Sequence, residues 1–275
     1  MPLPDASMSW WMTMSAVGVV ALVAFLVSWL LTDLLHSPRA VYLAALMVVS
    51  GSLTYGYLAW SGTDAAAFIT NNWGWGLVGA LVSGGLTARA IKAGANRRGL
   101  GVPAGRRGAR LAGALVWEGL LYGAAEGLLL SALPVLAAWQ SFHLLGWTAT
   151  TAGAAGSGAL AIGASAAVIW IHHLGYREFR SSREILLPIV ACGLLSLAYL
   201  LTGSPIAPTG GHVLLHAGAQ LRGVPLPPYS KGLAARSPEL GFVQPRNVHG
   251  ASSRKAAAIG GAPDQTNRVR AGRRD

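Results

Sequence analysis

RLAGALVWEGLLYGAAEGLLLS, residues 110–131, is the stretch on which the reading of the chain turns. It is apolar and long enough to cross a bilayer, which takes about 20 residues at about 1.5 Å each, yet it carries two carboxylates. Of the 10 acidic residues in the chain, Glu118 and Glu126 alone lie well inside an apolar run of spanning length. A carboxylate in hydrocarbon is costly, so an intramembrane acid marks a functional site by default. Eight positions at about 100° each set the two about 80° apart with Tyr122 between them, a polar stripe down one helix face. Either glutamate alone would read equally well as a hydrogen-bonded packing group between helices. Two on one face, with histidines on other spans, point to a site.

Outward from this stretch the chain stays apolar. It is 53% hydrophobic and 11% charged, with a mean hydropathy of +0.47, which excludes an ordinary soluble domain. The expected fold class is all-α, a polytopic transmembrane helix bundle of about seven spans. Apolar runs of spanning length fall near 11–31, 40–60, 73–92, 111–131, 152–174, 185–203 and 205–221, with a shorter one at 132–148. Tryptophans gather at run ends, as Trp10 and Trp11, Trp60, Trp73 and Trp75, and Trp139 and Trp147, the pattern of interfacial belts. The first run lacks a basic leader and a clear cleavage site, so it reads as a retained helix. Cys192 is the single cysteine and sits in an apolar run; it reads as a buried, inert thiol with no disulfide partner in the chain.

The net charge of +11 comes from loops and a tail, where the positive-inside rule already expects lysine and arginine; nucleic acid is discounted as a partner. Arg89, Lys92, Arg97, Arg98, Arg106, Arg107 and Arg110 surround one loop, Arg177, Arg180 and Arg183 mark another, and ten more basic residues lie from Arg222 onward. All three segments are expected on the cytoplasmic side, with the N-terminus and the Asp64 loop outside. All 21 basic residues then fall on one side. The parity requires residues 132–148 to be re-entrant or interfacial, with a break at Pro134. Three regions follow: 1–110, an N-terminal three-span region with a basic loop; 111–225, a core carrying the polar groups; and 226–275, a basic Gly/Pro/Ser-rich tail expected to be disordered. Ala155, Ala159, Gly163 and Ala167 form a small-residue strip expected to let another helix approach closely. Gly74, Gly76 and Gly79 match G-x-G-x-x-G, but no strand precedes them, so the match is not a dinucleotide fingerprint.

Among the seven histidines, His172 and His173 end one span, while His212 and His216 lie four apart in another. Spaced so, both imidazoles of the second pair look the same way from one helix, as metal ligands or oxyanion partners must. LLSLAYLLTGSPIAPTGGHVLLHAGAQL, residues 194–221, resembles the third motif of the CPBP intramembrane proteases. This family, also called Abi, includes the type II CAAX prenyl proteases. The Thr202-Gly203-Ser204 turn, the Ala207-Pro208 pair and His212-x-x-x-His216 carry the likeness. AAVIWIHHLG, residues 166–175, looks like the second motif, with His173 in the motif and His172 beside it. The first motif is matched by halves: Glu118-Gly-Leu-Leu-Tyr122 and Glu126-Gly-Leu-Leu-Leu130 each keep the first glutamate and lack the second glutamate and the arginine. The resemblance covers roughly 111–225, a little under half of the chain.

The resemblance implies an intramembrane endopeptidase in the cell membrane, its substrate a peptide or membrane protein. A glutamate would activate water for attack on a peptide carbonyl, and histidines would hold the oxyanion. The implied catalytic residues are Glu118 or Glu126 with His173, His212 and His216, in one pocket opening toward the cytoplasm. Spacing to His173 favours Glu126, whereas depth favours Glu118, which lies about 10–12 Å below the cytoplasmic end of its helix and near the level of His212 and His216. Glu/His/His is also a zinc ligand set; with no His-Glu-x-x-His in the chain, no cofactor is assigned. Two other classes stay open, a catalytically silent scaffold of the same family and a proton-coupled transporter using the buried acids and histidines as a relay.

Overall fold

In the computed structural model, which describes residues 1–97, 99–101, 108–180 and 185–224, every regular element is a helix. In chain order these are α1 (Trp10–Leu34), α2 (Arg39–Trp60), the short α3 (Ala65–Thr70), α4 (Trp73–Arg97), α5 (Ala109–Leu144), α6 (Thr151–Leu174), α7 (Leu186–Thr202) and α8 (Ile206–Gln220). Among the described residues α1, α2, α5 and α6 are each long and apolar enough to cross a membrane. The protein is an all-α membrane helix bundle. Three of the four keep most of their apolar surface turned outward, as lipid-facing helices do, whereas most of α5 is buried. Leu129, Leu130, Leu133, Val135, Leu136, Ala137 and Ala138 of α5 are almost completely covered, so α5 is the axis of the bundle. Of the helices before it, α1 lies along α5 and α6 while α4 packs against α8.

Residues 132–144 do not form the re-entrant segment that the sequence suggests. They continue the preceding helix, and α5 runs unbroken for 36 residues through Pro134. A proline leaves the carbonyl four residues back without its amide partner. That carbonyl belongs to Leu130, and the Ser165 hydroxyl of α6 donates to it at 2.7 Å. Ser196 of α7 in turn meets Ser165 at 2.8 Å. The break is avoided because Ser165 of α6 supplies the missing donor. α5 then counts once rather than as a span plus a loop.

Glycine sets the tightest contacts. Along α5, Gly119, Gly123 and Gly127 face Ala217, Val213 and Thr209 of α8, so the two helices run antiparallel with backbones in near contact. A Cβ on Gly123 would lie 2.9 Å from the Val213 Cα, and one on Gly127 2.6 Å from the Thr209 Cα. On the other side of α8, a Cβ on Gly84 of α4 would meet the Gly211 Cα at 3.0 Å. Two of the three fingerprint glycines belong to the same seam: Cβ atoms on Gly76 and Gly79 would strike Ser204 and Ala207, whereas one on Gly74 would meet nothing within 4 Å. The strip Ala155/Ala159/Gly163/Ala167 does not take part, because all four residues are on the exposed face of α6. Its buried face is Ser157, Gly158, Ala161, Ser165, Val168, Ile169, His172 and His173.

The turn between α7 and α8 is built as its residues suggest. Gly203 takes a left-handed conformation (φ +66°), which glycine adopts without a Cβ penalty, and its amide donates to the Tyr199 carbonyl at 2.7 Å. The two ends of the bundle differ in charge. At one end Gln140 donates to the Pro2 carbonyl and Asp5 to the Ser61 carbonyl, ringed by Trp10, Trp60, Trp73, Trp75 and Trp147, all exposed. At the other, Arg180 pairs with Asp33 at 2.9 Å and Arg39 with Glu118 at 3.1 Å. Lys92, Arg89, Arg97, Arg110, Arg177 and Arg222 lie toward this second end. The tail 226–275 and Arg98, Arg106, Arg107 and Arg183 fall outside the described residues.

Candidate functional site

The α5 backbone is regular α-helix only in pieces. π-Helical stretches at Leu115–Leu121 and Gly127–Ala132 flank a short α-helical segment, Tyr122–Glu126. A π turn takes one residue more than an α turn, so the 100° step of a regular helix does not hold across it. Glu118 and Glu126 therefore part company. Glu118 sits at the basic end, paired with Arg39 of α2 and hydrogen-bonded by Gln220 of α8. Its backbone is close in level to His216, since the register sets Gly119 opposite Ala217, but its side chain is taken by Arg39 and Gln220 rather than by an imidazole.

Glu126 is the residue that the histidines meet. Its Oε2 is 2.6 Å from His216 Nε2 and 4.0 Å from His212 Nδ1, and its Oε1 is 3.9 Å from His172 Nε2. Tyr122, one turn away on the same helix, donates its hydroxyl to Oε1 at 2.5 Å and stacks edge-on against the His216 ring. Relative exposure is 7% for Glu126, 0% for His172, 2% for His212 and 4% for His216, so the cluster is closed off from the surroundings. His212 turns Nε2 toward Ser131 (3.4 Å) and the Cys192 thiol (3.5 Å). The Nδ1 atoms of His212 and His216 are buried and, among the described residues, have no hydrogen-bond partner. Both are available to a bound group.

Of the residues expected in the site, Glu126, His212 and His216 come together. Glu118 stays apart. His173 is buried next to the cluster but turns Nδ1 back to the Ile169 carbonyl at 2.8 Å, and its ring packs on His172, Tyr176 and Phe179. Its neighbour His172 takes the place beside the carboxylate. His143 lies at the other end of the bundle, bonded to Thr148 at 2.8 Å. Reasoning from sequence missed Ser28, Tyr42 and Tyr176, which hold His172; the spacing His172-x-x-x-Tyr176, one helical turn, was the available signal.

One donor atom each from Glu126, His212 and His216 lies within 4.8 Å of the others. One carboxylate and two imidazoles suit zinc, so these are the residues that would hold a metal. No protein-family model, curated protein or solved structure matches the chain.

Proposed function

We propose that the protein is an intramembrane endopeptidase of the CPBP (Abi) type, with Glu126 as its general base and His212 and His216 as the groups that hold the oxyanion. The observation that carries this reading is the convergence on one buried carboxylate of histidines from α6 and α8. Glu126 takes a proton from a water, and the hydroxide formed adds to the carbon of a peptide carbonyl. Of the two Nδ1 atoms left unengaged on α8, that of His212 can donate to the oxygen that becomes negative, and that of His216, whose Nε2–H is given to Glu126, donates when the ring is an imidazolium. Collapse breaks the C–N bond, and the proton held on Glu126 passes to the leaving amine. Tyr122 stands in for the neighbours that the family's first motif supplies, since its hydroxyl orients the Glu126 carboxyl.

The test is a comparison of protein termini, read by mass spectrometry, in membranes carrying the wild-type chain and membranes carrying His212→Ala. New termini that depend on His212 are expected. Their absence, with both proteins present at equal level, overturns the reading in favour of a silent scaffold or a transporter built on the same cluster.

A second reading has its own observation, the zinc-like donor set. A bound zinc would supply Lewis acidity at this site, and Glu126 would then be a ligand rather than a base. The glutamate mechanism expects proteolysis that persists in EDTA and purified protein without stoichiometric zinc. One zinc per chain, lost in His216→Ala, would reassign Glu126.

The orientation belongs to the same proposal. Among the described residues α1, α2, α4, α5, α6, α7 and α8 alternate between the two ends, and the reading takes the basic end as the cytoplasmic one by the positive-inside rule. In intact cells an impermeant maleimide is expected to label a cysteine at Thr150 and to spare one at Gly99, with buried Cys192 silent in both. The reverse pattern would invert the topology.

A further inference from the structure

His172 has a surplus of partners for a residue outside the expected motif. Its Nδ1 is 2.9 Å from Ser28 Oγ and 3.2 Å from the Ala24 carbonyl, both on α1. Its Nε2 is 3.0 Å from the Tyr176 hydroxyl, which is hydrogen-bonded to the Tyr42 hydroxyl of α2. All of these side chains are at most 1% exposed. Such complete enclosure lets donors and acceptors be counted. A carbonyl oxygen only accepts, so the proton of a neutral imidazole sits on Nδ1 and Nε2 carries the lone pair. Tyr176 has one hydroxyl proton and must donate it to Nε2. Tyr42 must then donate to Tyr176. The chain of bonds has one consistent direction, Tyr42 to Tyr176 to His172.

The approach of α1 that makes this possible is itself built in. Gly175, just past the end of α6, has no Cβ, and one added there would lie 2.6 Å from the Ser28 Cβ and 2.9 Å from the Phe25 carbonyl. Any side chain at that position pushes Ser28 away from His172.

We propose that the Ala24 carbonyl, with Ser28 beside it, and Tyr176, backed by Tyr42, are the positioning groups that lock His172 as the Nδ1–H tautomer, the Tyr176 proton occupying its Nε2 lone pair beside Glu126. The groups around that ring are Ser28 from α1, Tyr42 from α2, Glu126 from α5, and His173 and Tyr176 from the segment that carries it. A ring locked in this way presents no N–H to Glu126, whereas the alternative tautomer would present a donor. A neighbouring orienter that fixes which imidazole nitrogen bears the proton is the general device by which histidines are set for proton chemistry. The role in turnover rests on the endopeptidase reading above; the tautomer does not.

The test uses full-length protein in nanodiscs, labelled with 15N-histidine, with the His172 signals identified by their loss in His172→Gln. A pyrrole-like Nδ1 and a pyridine-like Nε2 are expected. In Tyr176→Phe, which keeps the ring and removes the hydroxyl, the Nε2 signal is expected to move. With a cleaved substrate in hand, kcat should fall about tenfold at unchanged KM, the lower edge of proton-transfer effects. Ser28→Ala leaves the Ala24 carbonyl at Nδ1 and should keep the Nδ1–H tautomer. A pyridine-like Nδ1 overturns the proposal. So does a Tyr176→Phe protein that melts earlier while its His172 spectrum is unchanged, because a merely structural tyrosine behaves that way. Should the spectra come out as expected in a protein that cleaves nothing, the positioning stands and the endopeptidase reading falls.

Discussion

Glu126→Gln is expected to abolish proteolysis, by about 10² to 10⁴-fold in kcat, while Glu118→Gln stays within about threefold of wild type. The two substitutions make the same chemical change eight residues apart on one helix. Glutamine keeps the shape of the side chain and its capacity to accept from Tyr122, so the loss at position 126 would report the missing base rather than a missing contact. Glu118 is bound to Arg39 and Gln220 at the basic end and does not reach His212 or His216. Its removal should register instead as a small change in stability, because the Arg39 guanidinium loses the Glu118 charge. Equal activities in the two variants would refute the assignment of Glu126 as the base.

The second large effect concerns stability. Gly127→Leu is expected to lower the thermal midpoint so far that little protein is recovered, a cost of about 3 kcal/mol or more. The atoms in the way are backbone: the Thr209 Cα at 2.6 Å and the Pro208 carbonyl oxygen at 3.0 Å from the position of a Cβ. A side chain can rotate out of a clash, but backbone in a packed helix cannot. Gly113→Leu on the same helix is the control, since nothing lies within 4 Å of its Cβ position, and it should melt as wild type does. If Gly127→Leu expresses and melts normally, α5 and α8 are not packed as described.

The bundle was largely legible in the sequence because a bilayer-length apolar run is a strong signal. The run 152–174 became Thr151–Leu174 and the run 40–60 became Arg39–Trp60. What could not be read is how each helix is rotated and which register it keeps. Four-residue spacing of small residues marks a strip but not its neighbour, and on α6 that strip faces outward. Depth could not separate the glutamates, because the register that sets Gly119 opposite Ala217 and Gly127 opposite Thr209 puts Glu118 near the level of His216 and Glu126 near that of His212, and the direction of each side chain decides which is met. His172 and His173 are adjacent and differ by about 100° in direction, so only the packed α1 and α2 decide which one meets Glu126. Pro134 misled because its rescue comes from Ser165, 31 residues further on, on a different helix.

The near-contact of α5 and α8 has a consequence for motion. Glu126 rides on one of these helices and His212 and His216 on the other, and backbones that touch cannot slide or part without losing the contacts of a whole interface at once. The pair is therefore a rigid body, and the distances within the site belong to it. On the endopeptidase reading, widening the bundle to admit a polypeptide would fall to α1, α2 and α6, whose ties include side-chain bonds such as those of Ser28, Tyr42, His172 and Tyr176, which can break and re-form singly. A guest would then enter by moving the perimeter and meet the carboxylate and the two imidazoles at a fixed distance.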